Sequence, residues 1–315
     1  MVRKGSILFV TVETPLHAGT GAELGIVDLP IQREKHTGWP KVEASGLKGA
    51  IREAIPLEEN IKSAIFGPEK LEKGELHSGA LIFTDLRILL FPVKSAKGTF
   101  AWVISPEVFA RFKRDLSALA GMDSSFNSIL KELPDKVEAN RVHKNSSLTV
   151  EVDGNHTILL EEYSFEVTKG DKNLESFTEW LQKYVFKEKD PRHEDLPHKI
   201  CVVKNDVFND FVKMHTEVIT RTKIDPKTGT VDKTTGGLWN EEYLPVETVM
   251  YNLMLATPIM KKDNKPEDLK SDNSEQEAAN VLNKIKEHLP SFIFLGGNET
   301  IGKGLVSLKV LNAGG

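Results

Sequence analysis

The sequence predicts an α+β fold, and three observations lead to that prediction. Ile7 to Val12 is a short run of β-branched and aromatic residues, which is typical of a strand. Ser45 to Ile55 repeats its apolar residues at helical spacing. Strand-like runs then alternate with amphipathic segments as far as the C-terminus. The 315 residues are 39% hydrophobic, enough to bury a core as one elaborated domain or as two small ones.

The first predicted helix begins at Ser45, which is a favourable N-cap residue. Its apolar stripe repeats at i, i+3, i+4, i+7 and i+8, and consists of Leu47, Ala50, Ile51, Ala54 and Ile55. Lys48 and Arg52 lie one turn apart beside this stripe. Two cations near the free amides of a helix N-terminus suit a phosphate group. The spacing is also compatible with two solvated surface charges.

The later elements follow from the same periodicities. Strands are predicted at Ala80 to Leu90 (one or two), Phe100 to Ile104, Ile158 to Val167, Ile200 to Val203, Thr248 to Ala256, Phe292 to Leu295 and Leu305 to Leu311. Helices are predicted at Pro106 to Leu119, Leu174 to Phe186, Asp206 (as N-cap) to Lys213, and Glu275 to His288. Loops are predicted at Phe66 to His77, Lys187 to His198 and Lys261 to Ser274. The helix predicted at Leu174 to Phe186 has an apolar face with Phe177, Trp180 and Tyr184, and this face is assigned to the core.

A long polar hairpin is predicted from Glu217 to Gly237. Its turn is Asp225 to Gly229, in which proline presets φ and glycine permits a positive φ. The return arm is placed at Thr230 to Thr235. Neither arm has a strictly apolar face, so the hairpin is expected to project from the core and to meet a partner.

Composition excludes several classes of protein. No apolar run could span a bilayer and the N-terminus lacks a signal-peptide pattern, so a cytoplasmic protein with no membrane partner is expected. The single cysteine, Cys201, cannot form an intrachain disulfide, and its spacing from His193 and His198 fits no standard zinc site. The net charge is −5, but residues 28–52 carry five Lys and Arg against three acidic residues. This distribution is compatible with RNA binding through one groove.

A glycine-rich loop with one isolated carboxylate follows the first strand. Gly19, Gly21 and Gly25 would let the backbone approach a ligand closely. Asp28 could cap a turn, bind a metal or remove a proton from an RNA 2'-hydroxyl. His17 could act as an acid, a base or a phosphate contact, or could be structural.

Residues 297–304 read GNETIGKG, which nearly matches a nucleotide-binding phosphate loop. No hydroxyl residue follows Lys303 to hold magnesium, and a strand is predicted where that motif needs a helix, so nucleotide hydrolysis is rejected. Gly302 and Gly304 flank the lysine and would let backbone amides approach phosphates.

Three segments, HAGTG, ELGIVDLPIQRE and SGLKGAIRE, resemble the RAMP superfamily of CRISPR-associated proteins and occur here in the same order. The resemblance is greatest to the backbone subunits of type III-B (Cmr) effector complexes. It implies a ferredoxin-like or RRM-like core with large insertions and a projecting β-hairpin thumb. One domain over residues 1–315 is expected, with a palm core at about 1–60, 78–105 and 246–315, insertions at about 106–215 and the thumb at about 216–245.

The resemblance also implies roles for individual residues. Asp28 matches the superfamily's catalytic aspartate, and an acidic and an aromatic residue after the hairpin, Glu241 and Tyr243, would contribute to cleavage. Glu241 and Tyr243 would face the same way in an extended segment. RNA would be bound by the first helix and the C-terminal glycines, through Ser45, Lys48, Arg52, Gly302, Lys303 and Gly304.

The implied function is that of a backbone subunit that binds guide RNA (crRNA) and cleaves complementary target RNA at regular intervals. It would be a metal-dependent endoribonuclease using Mg²⁺ or Mn²⁺, a cofactor implied by the resemblance alone, since no metal cage is visible in the sequence. Its copies would associate into a helical filament with other Cmr subunits. Two alternatives remain: a non-catalytic filament subunit that scaffolds the guide, and a stand-alone RNase that processes guide precursors.

Overall fold

The computed structural model describes residues 3–22, 25–69, 77–186, 188–231, 237–261 and 264–311. Eleven of the strands in these residues join in one mixed sheet. They are β1 (Lys4–Val12), β2 (Lys41–Val42), β3 (Leu81–Phe83), β4 (Leu86–Lys94), β5 (Phe100–Ile104), β6 (Arg141–Val142), β10 (Thr168–Lys169), β11 (Ile200–Val202), β14 (Val249–Ala256), β15 (Phe292–Phe294) and β16 (Leu305–Val310). A small antiparallel sheet contains β7 (Val150–Val152), β8 (Asn155–Leu160) and β9 (Tyr163–Glu166), and a separate pair contains β12 (Glu217–Thr222) and β13 (Leu238–Tyr243).

The centre of the large sheet runs in the order β4, β14, β1, β16, and each neighbouring pair is antiparallel. β15 continues the sheet beyond β16, while β5, β11, β6 and β10 extend it beyond β4. The pairs β5–β11 and β6–β10 are parallel. The N-terminal strand therefore lies between two strands from the C-terminal quarter of the chain.

Helices cover the sheet and bury its centre. They are α1 (Ala44–Ala54), α2 (Glu59–Phe66), α3 (Pro106–Met122), α4 (Asn127–Glu132), α5 (Lys172–Tyr184), α6 (Pro191–Lys199), α7 (Asn205–Met214) and α8 (Ser274–His288). Every residue of β1 from Gly5 onward is buried, so both faces of this strand are covered. On one face, Phe9 packs against Phe112 of α3 and Trp180 of α5. None of the helices in the described residues has the length and apolar character needed to cross a membrane.

Most of the predicted elements are present, but two predicted N-caps are wrong. Ser45 lies inside the first turn of α1, which begins at Ala44 after Glu43. The Ala44 amide donates instead to the Asp85 carboxylate at 2.9 Å, so a distant side chain satisfies this helix end. Asp206 lies inside α7, whose N-cap is Lys204. The predicted core face of α5 is confirmed, because Phe177, Trp180 and Tyr184 are buried.

Two other predicted segments differ from the structure, and one helix was not predicted. Ile158 to Val167 is not one strand, since β8 and β9 are joined at Glu161, which has a positive φ of 48°. The segment predicted as the linker Lys187 to His198 contains most of α6, which Asp190 caps by accepting from the Arg192 amide at 3.0 Å. The helix α2 was not predicted and precedes the predicted loop at residues 66–77, of which residues 70–76 lie outside the described residues.

The predicted hairpin is present, and its main return strand lies beyond the predicted return arm. β12 pairs with β13, from Glu217 opposite Tyr243 to Thr222 opposite Leu238. The start of the predicted return at residues 230–235 is confirmed, because Val231 bridges to Ile224 and the Asp225 amide donates to the Thr230 carbonyl at 2.9 Å. Residues 232–236 lie outside the described residues.

Candidate functional site

Three separate parts of the chain meet at the base of the β12–β13 hairpin. The loop after β1 runs beside the hairpin, through bridges from Leu16 to Leu244 and from Leu29 to Glu241. The loop that follows β15 joins the same place, because His17 bridges to Gly297. The first glycine-rich loop, the hairpin and the last glycine-rich loop therefore form one site, which we call the hairpin-base site.

Asp28 is exposed at the hairpin-base site and is held by a backbone contact. Its Oδ2 accepts a hydrogen bond from the Asn240 amide at 2.8 Å. The neighbouring Leu29 amide donates to the Asn240 carbonyl at 3.0 Å, which aligns this segment with β13. No hydrogen bond to Oδ1 is present among the described residues. The hydrogen bond to Oδ2 therefore orients the Asp28 carboxylate, and Oδ1 can contact a ligand that approaches from the solvent.

Glu241 and Tyr243 lie on the same face of β13, as predicted, but both are buried, with exposed fractions of 5% and 0%. The Tyr243 hydroxyl donates to Glu241 Oε2. The other carboxylate oxygen, Oε1, accepts from the Trp239 indole at 2.8 Å. Arg221 of β12 forms an ion pair with Glu241 at 2.6 Å and donates to the Tyr243 hydroxyl at 2.7 Å. The loop residue Asn298 donates to both groups.

The protonation states of this pair follow from its contacts. Burial alone would raise the pKa of Glu241, but the hydrogen bonds from Trp239 and Tyr243 and the charge of Arg221 outweigh it and lower that pKa. Burial, followed by the hydrogen bond to Glu241, raises the pKa of Tyr243. Glu241 is thus a carboxylate and Tyr243 a neutral phenol at neutral pH. Because their hydrogen-bonding capacity is used inside the protein, neither is placed to exchange protons with RNA.

His17 is half-buried beside Tyr243, with their ring centroids 5.4 Å apart. Its Nδ1 lies 2.7 Å from the Glu242 carbonyl, which can only accept, so Nδ1 carries the proton. Nε2 faces Gly19, where a Cβ would overlap the imidazole ring. Gly19 is therefore needed for close packing against His17, and the histidine supports the hairpin base.

The polar residues of the QRE sequence are structural. The Gln32 side chain donates to the Gly19 carbonyl at 3.2 Å and accepts from the Glu43 amide at 2.7 Å, which links the first loop to the start of α1. Arg33 pairs with the buried Glu242 and also donates to the Val212 carbonyl at 2.8 Å. Glu34 pairs with Arg111 of α3, which together with a hydrogen bond from Thr37 lowers the Glu34 pKa against the effect of burial.

Two of the three predicted RNA-binding residues of α1 line one surface cavity, and both cations of this helix already have partners within the protein. Ser45 and Lys48 border a cavity of about 560 Å³ together with His77. Lys48 Nζ donates to the Leu81 carbonyl at 3.0 Å, and burial, with a smaller effect of the Arg52 charge, lowers its pKa. Arg52 donates to the Gly67 carbonyl and pairs with Glu59. Ser45 and Lys48 therefore remain better placed for a phosphate than Arg52.

The amides of the last glycine loop are engaged within the protein. The amide of Gly302 donates to Glu299, that of Lys303 to Asn298, and that of Gly304 to Pro15, at 2.8 to 3.2 Å. The expectation that these amides are free for phosphates is therefore wrong for this conformation. The Lys303 ammonium has no hydrogen bond or ion pair with the described residues and lies 5.1 Å from the centre of the Tyr243 ring. Gly302 is exposed and Gly304 is buried.

Comparisons with known proteins identify the family of this chain. The RAMP superfamily profile matches residues 9–307. The CRISPR system Cmr endoribonuclease Cmr4 of Pyrococcus furiosus is 39% identical over 310 residues, which cover 96% of this chain and 95% of that protein. The chain belongs to the RAMP superfamily.

Solved RAMP structures have the same fold. The crystal structure of oligomeric Cmr4 from Pyrococcus furiosus matches this RAMP chain with a TM-score of 0.68 and 27% identity, over 99% of this chain and 98% of that one. A chain of the type III-B Cmr-beta complex bound to cognate target RNA matches with a TM-score of 0.71 and 21% identity, over 97% and 96% of the two chains. The mixed α and β architecture is therefore that of the superfamily.

Sequence reasoning missed Arg221, Trp239 and Asn298 at the hairpin-base site of this RAMP chain. Arg221 alternates with exposed polar residues on β12, and Asn298 lies within the GNETIGKG segment, but neither pattern indicates the contact with Glu241. The ligand atoms of His193, His198 and Cys201 do not come together as one group in the part of the chain that the structure describes. The one group there with three possible metal ligands is Glu161, Glu162 and His215, which shares no residue with the hairpin-base site.

Proposed function

We propose that this chain is a backbone subunit of a type III-B CRISPR effector complex, which holds crRNA and cleaves the complementary target RNA. The observation that carries the proposal is the exposed Asp28, whose carboxylate is oriented by β13 at the base of the hairpin. The relative that is 39% identical over nearly the whole chain is named a Cmr endoribonuclease, which supports the same reaction class. This role places the chain in the cytoplasm, associated with other Cmr subunits and with further copies of itself in a helical filament.

The proposed cleavage is an internal transfer within the target RNA. Asp28 accepts the proton of a 2'-hydroxyl, whose oxygen attacks the adjacent phosphorus. The bond from phosphorus to the 5'-oxygen breaks, and that oxygen takes a proton from water. The resulting hydroxide removes the proton from Asp28, and the products are a 2',3'-cyclic phosphate and a 5'-hydroxyl. Glu241, Tyr243 and His17 are buried or half-buried, so we assign them to holding the hairpin base and not to contact with the RNA.

A divalent cation, Mg²⁺ or Mn²⁺, fits one position at this site. Asp28 Oδ1 is the carboxylate oxygen of the hairpin-base site that no described side chain or amide occupies, whereas the Glu241 carboxylate is saturated. Mg²⁺ is often held by one or two carboxylates together with substrate phosphates and water. When bound, such an ion would neutralise phosphate charge during cleavage.

Guide binding in this proposal is independent of base sequence. Ser45 and Lys48 at the cavity beside α1 and Lys303 near Tyr243 would contact phosphates, which position RNA without reading bases. The hairpin from β12 to β13 is the proposed thumb, and it would displace one base pair of the guide–target duplex per subunit. The order β4, β14, β1, β16, with α1 following β1 and α8 following β14, supports a ferredoxin-like palm.

The test is Asp28→Asn in a reconstituted effector complex. Asparagine keeps an oxygen that can accept from the Asn240 amide, so the fold and the RNA affinity should remain unchanged. We expect the single-turnover cleavage rate to fall by about 100-fold or more, because the general base is lost. The control is Asp153→Asn, an exposed aspartate in the β7–β8 turn.

The outcomes separate the candidate functions. Cleavage by the Asp28→Asn complex at the wild-type rate would refute the assignment of Asp28. A wild-type complex that binds target RNA without cutting it would favour the non-catalytic scaffold, and cleavage of precursor repeat RNA by the isolated chain would favour a processing RNase.

A further inference from the structure

Asn298 lies in the loop between β15 and β16 and has an uncommon backbone conformation. Its backbone is left-handed, with φ of 69°, and it precedes a short 3-10 turn at Glu299–Ile301. Asparagine adopts this conformation more readily than most residues. This backbone places the side chain against the hairpin base.

The Asn298 amide group joins two buried groups of β13. Its Nδ2 lies 3.0 Å from Glu241 Oε2 and 3.1 Å from the Tyr243 hydroxyl oxygen. An amide nitrogen carries two hydrogens, so both acceptors can be satisfied at once. The Tyr243 hydroxyl then accepts from Asn298 and Arg221 while it donates to Glu241. The contact links the C-terminal loop to β13.

The same strand holds Asp28. Asn240 directly precedes Glu241, and its amide fixes Asp28 Oδ2 at 2.8 Å. A shift of β13 relative to the C-terminal loop would therefore move the Asp28 carboxylate. Glu241 and Tyr243 are buried, so their influence on a reaction at Asp28 must be exerted through the position of this strand.

We propose that Asn298 is a positioning residue for RNA cleavage, which fixes β13 through Glu241 and Tyr243 and thereby sets the orientation of Asp28. This inference rests on the proposed function of Asp28. Small displacements of a reacting group can lower a rate about 100-fold without weakening binding. Asn298 should accordingly matter for the rate of cleavage and not for the affinity for RNA.

Two substitutions test this in the reconstituted complex with guide RNA and a matched target. Asn298→Gly removes both donors and keeps the left-handed backbone. Asn298→Asp keeps the shape and replaces the donors with a second carboxylate beside Glu241. The control is Asn140→Gly, a half-buried asparagine that also has a positive φ, 58°, at a position preceding β6.

We expect the complex with Asn298→Gly to have a single-turnover cleavage rate about 10- to 100-fold lower than that of wild type. Its affinity for target RNA should stay within about twofold of wild type. Asn140→Gly should cut at the wild-type rate. For Asn298→Asp, two adjacent carboxylates raise the pKa of one of them, and the protonated acid can donate where the amide did. Its rate relative to wild type should therefore rise as the pH is lowered from 8 to 6, which a merely structural effect would not produce.

The results distinguish the inference from the function on which it depends. If wild type cuts, Asp28→Asn does not, and Asn298→Gly cuts within about twofold of wild type, the inference fails and the proposed function stands. A loss of target affinity with an unchanged rate at saturation, or a rate ratio for Asn298→Asp that does not vary with pH, would also overturn it. If Asp28→Asn cuts at the wild-type rate, the proposed function itself fails.

Discussion

At the scale of single residues, the two carboxylates of the hairpin-base site, Asp28 and Glu241, have different surroundings. Asp28 is exposed and accepts one hydrogen bond from the described residues, whereas Glu241 is enclosed by three hydrogen bonds and one ion pair. The sequence predicted that Glu241 and Tyr243 face the same way, because alternation along a strand is local. It could not predict Arg221 or Asn298, since they are 20 and 57 residues from Glu241 and meet it only through the tertiary fold.

The enclosed carboxylate predicts a dependence of stability on pH. The Glu241 pKa is lowered in the folded state, so the unfolded chain binds a proton more readily when the pH falls below the ordinary value of 4.5. The stabilisation is complete above that value and is lost as the pH falls through the folded-state pKa. Glu241→Gln should lower the free energy of unfolding at pH 7 by on the order of 2–3 kcal/mol, because Arg221 loses its charged partner.

Urea denaturation at pH 7 and at pH 4 measures both effects. The difference between wild type and Glu241→Gln should shrink at the lower pH, because the wild-type carboxylate begins to lose its advantage there. Glu299→Gln, an exposed position in the same C-terminal loop, should differ from wild type by less than about 0.5 kcal/mol. Equal stability of Glu241→Gln and wild type at pH 7 would contradict the ion-pair network.

At the scale of elements, local sequence signals predicted which helices and strands exist better than they predicted the residues at which these begin and end. The strand Phe100–Ile104 and the helix α8 follow their sequence patterns closely. The start of α1 was misplaced because its first amide is satisfied by Asp85, 41 residues away. The helix α6 was missed although Asp190 and Pro191 are ordinary start signals, because its nine residues are mostly polar and carry one buried side chain, Leu196.

In the last glycine-rich loop, two glycines are predicted to differ in how much stability is lost when each is replaced by alanine. Gly302 and Gly304 both have positive φ, 79° and 78°. A Cβ at Gly302 meets no atom within 4 Å, whereas a Cβ at Gly304 would overlap the Leu295 carbonyl oxygen. Gly302→Ala should therefore cost about 1–2 kcal/mol of unfolding free energy, from backbone strain alone. Gly304→Ala should cost about 3 kcal/mol or more, because steric overlap with the backbone is added.

Chemical denaturation of the two single variants checks this order. Gly302→Ala is the matched control, since it shares the loop, the substitution and the backbone conformation. If the two variants were equally stable, the close approach of Gly304 to Leu295 would not exist in solution.

At the scale of the whole molecule, the order of strands could not be predicted from the chain alone. β1 pairs with β14 and β16, which are about 240 and 300 residues away in sequence. The resemblance to RAMP proteins supplied the expectation of one elaborated domain, which stays a prediction. The hairpin differs from the large sheet, whose strands pair with strands far away in sequence. β12 and β13 are near each other in sequence, pair with each other and lie outside the large sheet. Its outer part is therefore separable from the core.

This separation predicts the effect of shortening the hairpin. The Lys223 amide donates to the Gly237 carbonyl at 2.8 Å, so these two residues face each other across the hairpin. Replacing residues 224–236 with Asn-Gly would close the strands with a two-residue turn, which suits such a pair. The base, with Arg221, Glu241 and Tyr243, is retained. The variant should unfold within a few degrees of wild type, because Ile224 and Val231 are exposed and contribute little burial.

In the effector complex, the shortened hairpin should leave crRNA affinity within about twofold of wild type, because the proposed phosphate contacts at α1 and Lys303 are untouched. Regular cleavage of the target should be lost, since the arm that would displace a base pair is gone while Asp28 remains in place. Mapping the cut sites on an end-labelled target measures this directly. Cleavage at the wild-type spacing would show that the outer hairpin is not needed for the cut, and a variant that fails to bind guide would assign the hairpin to assembly.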